Sequence, residues 1–177
     1  MRVLHLPTNI ASHISIKVRI LREMGIQARG LVRDASPIQE GHGIEVFHLP
    51  SGKGPFLRRI RQRGSWYSAV LAAIRWAEVV HWHFDTRNLR KDLDLKYAAL
   101  LNRVRIVEFH GTDIRIPEVA TEENPYLREL LPCSDAFSSS SYHRSRATQE
   151  RFSRYGFDCL ISSPELLGYL QPDLFPS

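Results

Sequence analysis

Two short stretches of this chain join strand-forming residues to groups that can do chemistry. They are Val79-Val80-His81-Trp82-His83-Phe84-Asp85 and Ile106-Val107-Glu108-Phe109-His110-Gly111-Thr112-Asp113-Ile114-Arg115. Successive side chains of an extended strand alternate between faces, so His81 and His83 share one face and Trp82 takes the other. Asp85 continues that alternation. Two imidazoles beside a carboxylate suit a divalent metal, with a third ligand from His110 or Asp113, as in many zinc hydrolases. The same groups equally suit the hydroxyls of a polar ligand. The bland alternative is one histidine satisfied in the core and one facing solvent.

In the second stretch an apolar strand runs into an imidazole, His110, where the backbone must turn. Gly111 permits a positive φ or a close ligand approach. Thr112 and Asp113 can cap the turn or accept hydroxyl protons from a sugar, and Arg115 can pair with an acidic group or a phosphate. The loop after the first strand, Pro7 to Ser12, contains no glycine. A dinucleotide or P-loop fingerprint needs glycines there for the phosphates to approach the backbone, which argues against NAD, FAD or a P-loop nucleotide. Asn9 and Ser12 remain as donors toward a polar ligand at a helix N-terminus. No Gly-x-Ser-x-Gly elbow occurs, and neither Cys133 nor Cys159 has an evident histidine partner.

The elements that carry these groups alternate in period. Strands are expected at Arg2 to Leu6, Gln27 to Val32, Ile44 to Leu49 (after the turn Gly41-His42-Gly43), Glu78 to His81, Arg105 to Phe109 and Asp158 to Ile161. Helical stripes are Ile14, Val18 and Leu21 behind a Ser12 cap and before Gly25; Trp66, Val70, Ile74 and Ala77; and Leu93, Tyr97 and Leu100. Asn124-Pro125 opens a further helix that Pro132 closes. Ser138 to Ser141 joins elements, a polar helix covers Arg144 to Arg154, and Pro164 opens a last turn or helix through Leu170. This alternation implies an α/β fold: a Rossmann-like doubly wound parallel sheet, one domain over residues 1–177. In such sheets the ligand crevice lies outside the carboxyl ends of the strands, where both stretches end.

A chain of 177 residues with 43% hydrophobic and 24% charged residues is ordinary for a globular domain. It has no apolar run of about 18 residues that would span a bilayer. The absence of a charged-then-apolar leader and two cysteines without metal-ligand spacing point to a cytoplasmic protein. The net charge of +5 is dense at Arg58-Arg59-Ile60-Arg61-Gln62-Arg63, beside Phe56, Leu57, Trp66 and Tyr67. That segment reads as a solvated helix face, or as a peripheral contact with an anionic membrane at its inner face. Nucleic acid is the weaker partner, because cations and aromatics interleave only there.

Val3-Leu4-His5-Leu6, the run Leu21-Arg22-Glu23-Met24-Gly25-Ile26-Gln27-Ala28 and the two opening stretches resemble the N-terminal domain of GT-B fold glycosyltransferases. The similarity is to the large retaining group called family 4. Phe109-His110-Gly111-Thr112-Asp113 is the most specific match, and Ile161 to Leu167 is similar to the last strand and helix of that domain. The resemblance implies one half of a two-domain enzyme that takes a sugar, glycan or lipid acceptor. It implies His110 as the catalytic contact to the transferred sugar. Asn9, His81, His83, Asp85, Gly111, Thr112, Asp113 and Arg115 would then be substrate-binding residues. No metal and no cofactor are implied for this chain; the nucleotide-sugar donor would bind a C-terminal domain, on the same or a separate chain, which this sequence lacks. Alone, the chain is expected to be inactive. Two rival expectations are a metal-dependent hydrolase using His81, His83 and Asp85, and a non-catalytic binding module with a basic face.

Overall fold

The computed structural model describes residues 1–33, 43–46, 56–84, 87–124, 126, 129 and 142–175. Six strands, β1 (Arg2–Pro7), β2 (Gln27–Val32), β3 (Ile44–Val46), β4 (Val79–His83), β5 (Val104–Phe109) and β6 (Asp158–Ile161), form one parallel sheet in the order β3-β2-β1-β4-β5-β6. The flanking helices are α1 (His13–Glu23), α2 (Phe56–Trp76), α3 (Leu93–Leu100), α4 (Pro117–Glu123) and α5 (Tyr142–Ser153), with a 3-10 helix at Pro164–Tyr169. This is the Rossmann-like α/β architecture that the alternating periods imply. The expected bounds of β2 and β6 match the observed ones. Contacts gather the chain into two compact units, Met1–Ile106 and Val107–Ser177, with the division inside β5.

In the first unit the alternation of β2 sorts its side chains. Ala28 and Val32 join Ile14 and Val18 of α1 in a buried cluster, closed by Leu21, Ile44 and Val46. Leu4 and Leu31 point the other way and line a small cavity with Ala69, Ala72 and Ala73 of α2. Helix α2 buries Trp66, Val70, Ala73 and Ile74, one stripe at helical spacing. Each large side chain on it contributes about 1.5–3 kcal/mol of burial. Gly25, at φ 77, ends α1: its N–H and that of Ile26 donate to the carbonyls of Arg22 and Leu21.

The start of α1 departs from expectation. Ser12 does not cap it. Ala11 and Ser12 both take left-handed backbone conformations, φ 45 and 63, and Ser12 makes no side-chain cap bond. Asn9 does the capping from further upstream: its Oδ1 accepts the N–H groups of Ile14 at 3.0 Å and Ser15 at 3.4 Å.

In the second unit Phe109 packs edge-on against Phe152, and Phe152 against Phe157. Helix α5 buries polar groups as well: Ser145 donates to the Ile114 carbonyl at 2.6 Å, and Gln149 donates to the Tyr169 carbonyl while accepting the Gln171 N–H. A helix that reads as polar in sequence is thus still partly internal, its buried groups hydrogen-bonded as low dielectric demands. Helix α4 was not expected, and Asn124 closes it, its Oδ1 accepting the Tyr126 N–H. Of the expected helix from Pro125 to Pro132 only Tyr126 and Glu129 are described, both helical; the Ser138 to Ser141 joint, the turn at Gly41-His42, the end of the third strand at residues 47–49, and Cys133 lie outside the described residues. Among the described residues no helix is long and apolar enough to cross a membrane.

Candidate functional site

The parallel pairing of β1 with β4 sets His5 opposite His81 and Pro7 opposite His83. His81 and His83 share a face, as strand alternation requires, and their rings stack with centroids 4.4 Å apart. The third imidazole of the cluster is His5, which sequence reading did not single out. Its ring lies 4.9 Å from that of His81 and 5.3 Å from that of His83. His5 Nδ1 and His83 Nε2 are 3.0 Å apart, a hydrogen bond in which one ring donates and the other accepts. All three side chains are buried, His83 completely.

One ligand nitrogen from each ring lies within 4.8 Å of the other two. Tetrahedral zinc with ~2.0 Å bonds to nitrogen needs its ligand atoms about 3.3 Å apart. The 4.8 Å bound is wider than that spacing, so a metal ion would need the rings to move closer than they stand. An apolar groove of about 410 Å³ reaches His5 and His81, walled by Val3, Ile20, Leu21, Val79 and Ile106. Asp85, the expected carboxylate beside these histidines, lies outside the described residues.

Asn9 is buried and works inward. Besides capping α1 through Oδ1, it donates from Nδ2 to Ser15 Oγ at 3.0 Å. Both ends of the amide thus hold the turn that connects β1 to α1. The helix N–H groups it covers are those that a glycine-rich loop would leave open for a phosphate.

The second unit holds the other candidates. Strand β5 ends in a turn closed by Asp113, whose carboxylate accepts the backbone N–H of His110 at 3.1 Å and of Gly111 at 2.7 Å. The N–H groups of Ile114 and Arg115 then return to the Gly111 carbonyl. Gly111 sits at φ 131, where a side chain is strained, and a Cβ there would meet the Arg115 guanidinium at 3.3 Å. Asp113 is buried, His110 and Thr112 are half-buried, and Arg115 pairs with Glu165 at 3.1 Å. Asp113 and Arg115 are thus loop-forming residues, and His110, half-buried, gives the turn its backbone N–H. In the same unit Cys159 is a half-buried thiol whose pKa is pushed up to about 12, by desolvation first and then by the Asp113 carboxylate. It is a poor nucleophile.

No protein-family model matches the chain, and no curated protein matches it in sequence. By its fold the chain is a Rossmann-like α/β protein.

Proposed function

We propose that the chain is the acceptor-binding half of a nucleotide-sugar-dependent glycosyltransferase. The observation that carries this reading is the turn after β5. A buried carboxylate and a glycine at positive φ close a tight turn directly after a half-buried imidazole. The parallel sheet and the glycine-free first loop support it, since an acceptor half has no need of a diphosphate cradle. In this reading His110 contacts the reacting sugar, and Asp113, Gly111 and Arg115 hold it in place. Catalysis then rests on positioning and on electrostatic stabilisation in a water-poor cleft. Asn9 shapes the β1–α1 turn, and His83, fully buried and bonded to His5, is not an acceptor contact in this reading. Peripheral contact of the Arg58 to Arg63 segment with an anionic membrane would bring a lipid acceptor within reach.

The test is sugar transfer by the chain combined with a donor-binding domain, across a panel of labelled nucleotide sugars and with lipid and glycan acceptors. Transfer is expected, and His110→Ala is expected to remove at least 99% of it. Turnover in that variant near the unsubstituted level would take His110 out of the mechanism. A panel with no transfer at all would end the reading.

The three-histidine cluster favours a second reading, a metal-dependent hydrolase. Its support is the convergence of buried ring nitrogens on one point beside an open groove. Zinc present in a one-to-one ratio in protein purified without added metal, together with chelator-sensitive ester hydrolysis, is the result expected there.

A further inference from the structure

We propose that a basic basin between the end of β2, helix α2 and the loop entering α3 binds a phosphate group, as a monoester or a diphosphate. The basin measures about 520 Å³ and takes five cationic residues from three separate parts of the first unit: Arg33, Arg63, Arg87, Arg90 and Lys91. Among the described residues no carboxylate lines it and none of these five forms an ion pair. Five like charges converging on one hollow repel one another, and an anion relieves that repulsion.

The floor of the basin adds donors in need of an acceptor. Asn88 lines it and is only 8% exposed. Its Oδ1 accepts the Trp66 indole N–H at 2.9 Å, while its Nδ2 is buried and has no partner among the described residues. Among the described residues Arg33 Nε is likewise buried without an acceptor, although Nη1 of the same guanidinium donates to the Arg87 carbonyl at 3.3 Å. Buried donors are nearly always matched, and two orphans in one basic hollow mark a place for acceptor oxygens. A phosphate supplies several, and guanidinium groups meet it with paired, charge-assisted bonds.

The frame is rigid enough to hold such a site. The Tyr67 hydroxyl accepts the Arg90 N–H at 2.9 Å, and the buried carboxylate of Asp94 accepts the Leu89 N–H at 3.1 Å. Together with the Asn88–Trp66 bond these fix the loop onto α2 and α3. Joined to the transferase reading, the basin makes the acceptor a phosphorylated molecule. Binding needs neither donor nor turnover, so the two readings fail separately.

The test uses inorganic pyrophosphate as the soluble probe. Vesicles of phosphatidylcholine with and without 20% phosphatidic acid are the lipid probe. Calorimetry at 150 mM salt is expected to detect pyrophosphate binding that weakens at least tenfold in Arg87→Gln/Lys91→Gln, both positions being exposed. Lys96→Gln/Arg154→Gln, with the same change in charge on exposed sites elsewhere, is expected to bind as the unsubstituted protein does. The Trp66 indole N–H resonance is expected to shift on binding. Vesicle binding lost in the basin variant identifies a lipid headgroup as the source; pyrophosphate binding without vesicle binding identifies a soluble phosphate. Equal pyrophosphate affinity in the two double variants overturns the proposal. So does vesicle binding that survives the basin variant when pyrophosphate binds no form of the protein.

Discussion

His5 Nδ1 and His83 Nε2 lie 3.0 Å apart across the β1–β4 junction, so one ring must donate the proton that the other accepts. The stacked His81 brings a third ring nitrogen within reach of both. A metal ion and this hydrogen bond compete for the same nitrogens. Zinc binding to the native state alone would raise stability by about 2.7 kcal/mol at a hundredfold excess over Kd. On the metal-hydrolase reading the melting temperature rises by several degrees on adding zinc and does not rise in His5→Gln/His83→Gln; on the transferase reading zinc leaves it unchanged. A shift of equal size in that variant would place the metal elsewhere.

Asn9 bonds two N–H groups at the start of α1 and the hydroxyl of Ser15. Asn9→Ala is expected to lose about 1 kcal/mol or slightly more, the usual effect of removing a helix cap. Ser12→Ala is expected to leave the cap of α1 in place and to cost less than Asn9→Ala, because Ser12 makes no cap bond. Urea unfolding of the two variants checks the order; the reverse order would return the cap to Ser12.

Gly30 of β2 sits where α1 and β3 close on the sheet. A Cβ there would overlap Ile44 Cγ2 and come within 2.7 Å of Ile14 Cγ2. Gly30→Ala is expected to destabilise by about 1–3 kcal/mol, the range for overpacking a filled core. Adding Ile44→Ala vacates part of that space, so the double variant is expected to be more stable than the sum of the single effects. Strict additivity in denaturant unfolding would show that the glycine answers to something else.

Cys159 is held protonated by burial and by Asp113. Its folded-state pKa is raised, so the thiol stays neutral as pH climbs through the ordinary thiol range and ionises only near about 12. With Cys133→Ser removing the other thiol, alkylation by iodoacetamide at pH 8–9 is expected to be on the order of a hundredfold or more slower than in urea-unfolded protein. Comparable rates in the two states, followed by mass spectrometry, would contradict the shift. The raised pKa also makes stability fall above pH ~9, where the unfolded thiol ionises and the folded one does not.

Local physics made much of this protein legible. The two-residue period of β4 put His81 and His83 on one face and Trp82 on the other before any strand order was known, and the apolar stripe from Trp66 to Ala77 marked the buried side of α2. The glycine after Phe109-His110 announced a turn, and Asp113 closes it within three residues. Each of these properties depends on neighbours a few positions away, so the chain itself encodes them.

Strand order and spatial convergence decided the rest. His5 became the partner of His83 only because β4, some 75 residues downstream, adds beside β1 in register, and nothing in Val3-Leu4-His5-Leu6 foretells that neighbour. Asn9 displaced Ser12 as the cap because Ala11 and Ser12 turn left-handed, a choice settled by how the chain leaves the sheet rather than by capping preference. The basic basin draws arginines from positions 33, 63, 87 and 90, which share no motif. Burial, pairing and charge clustering are properties of groups brought together by folding, and such groups are seldom close along the chain.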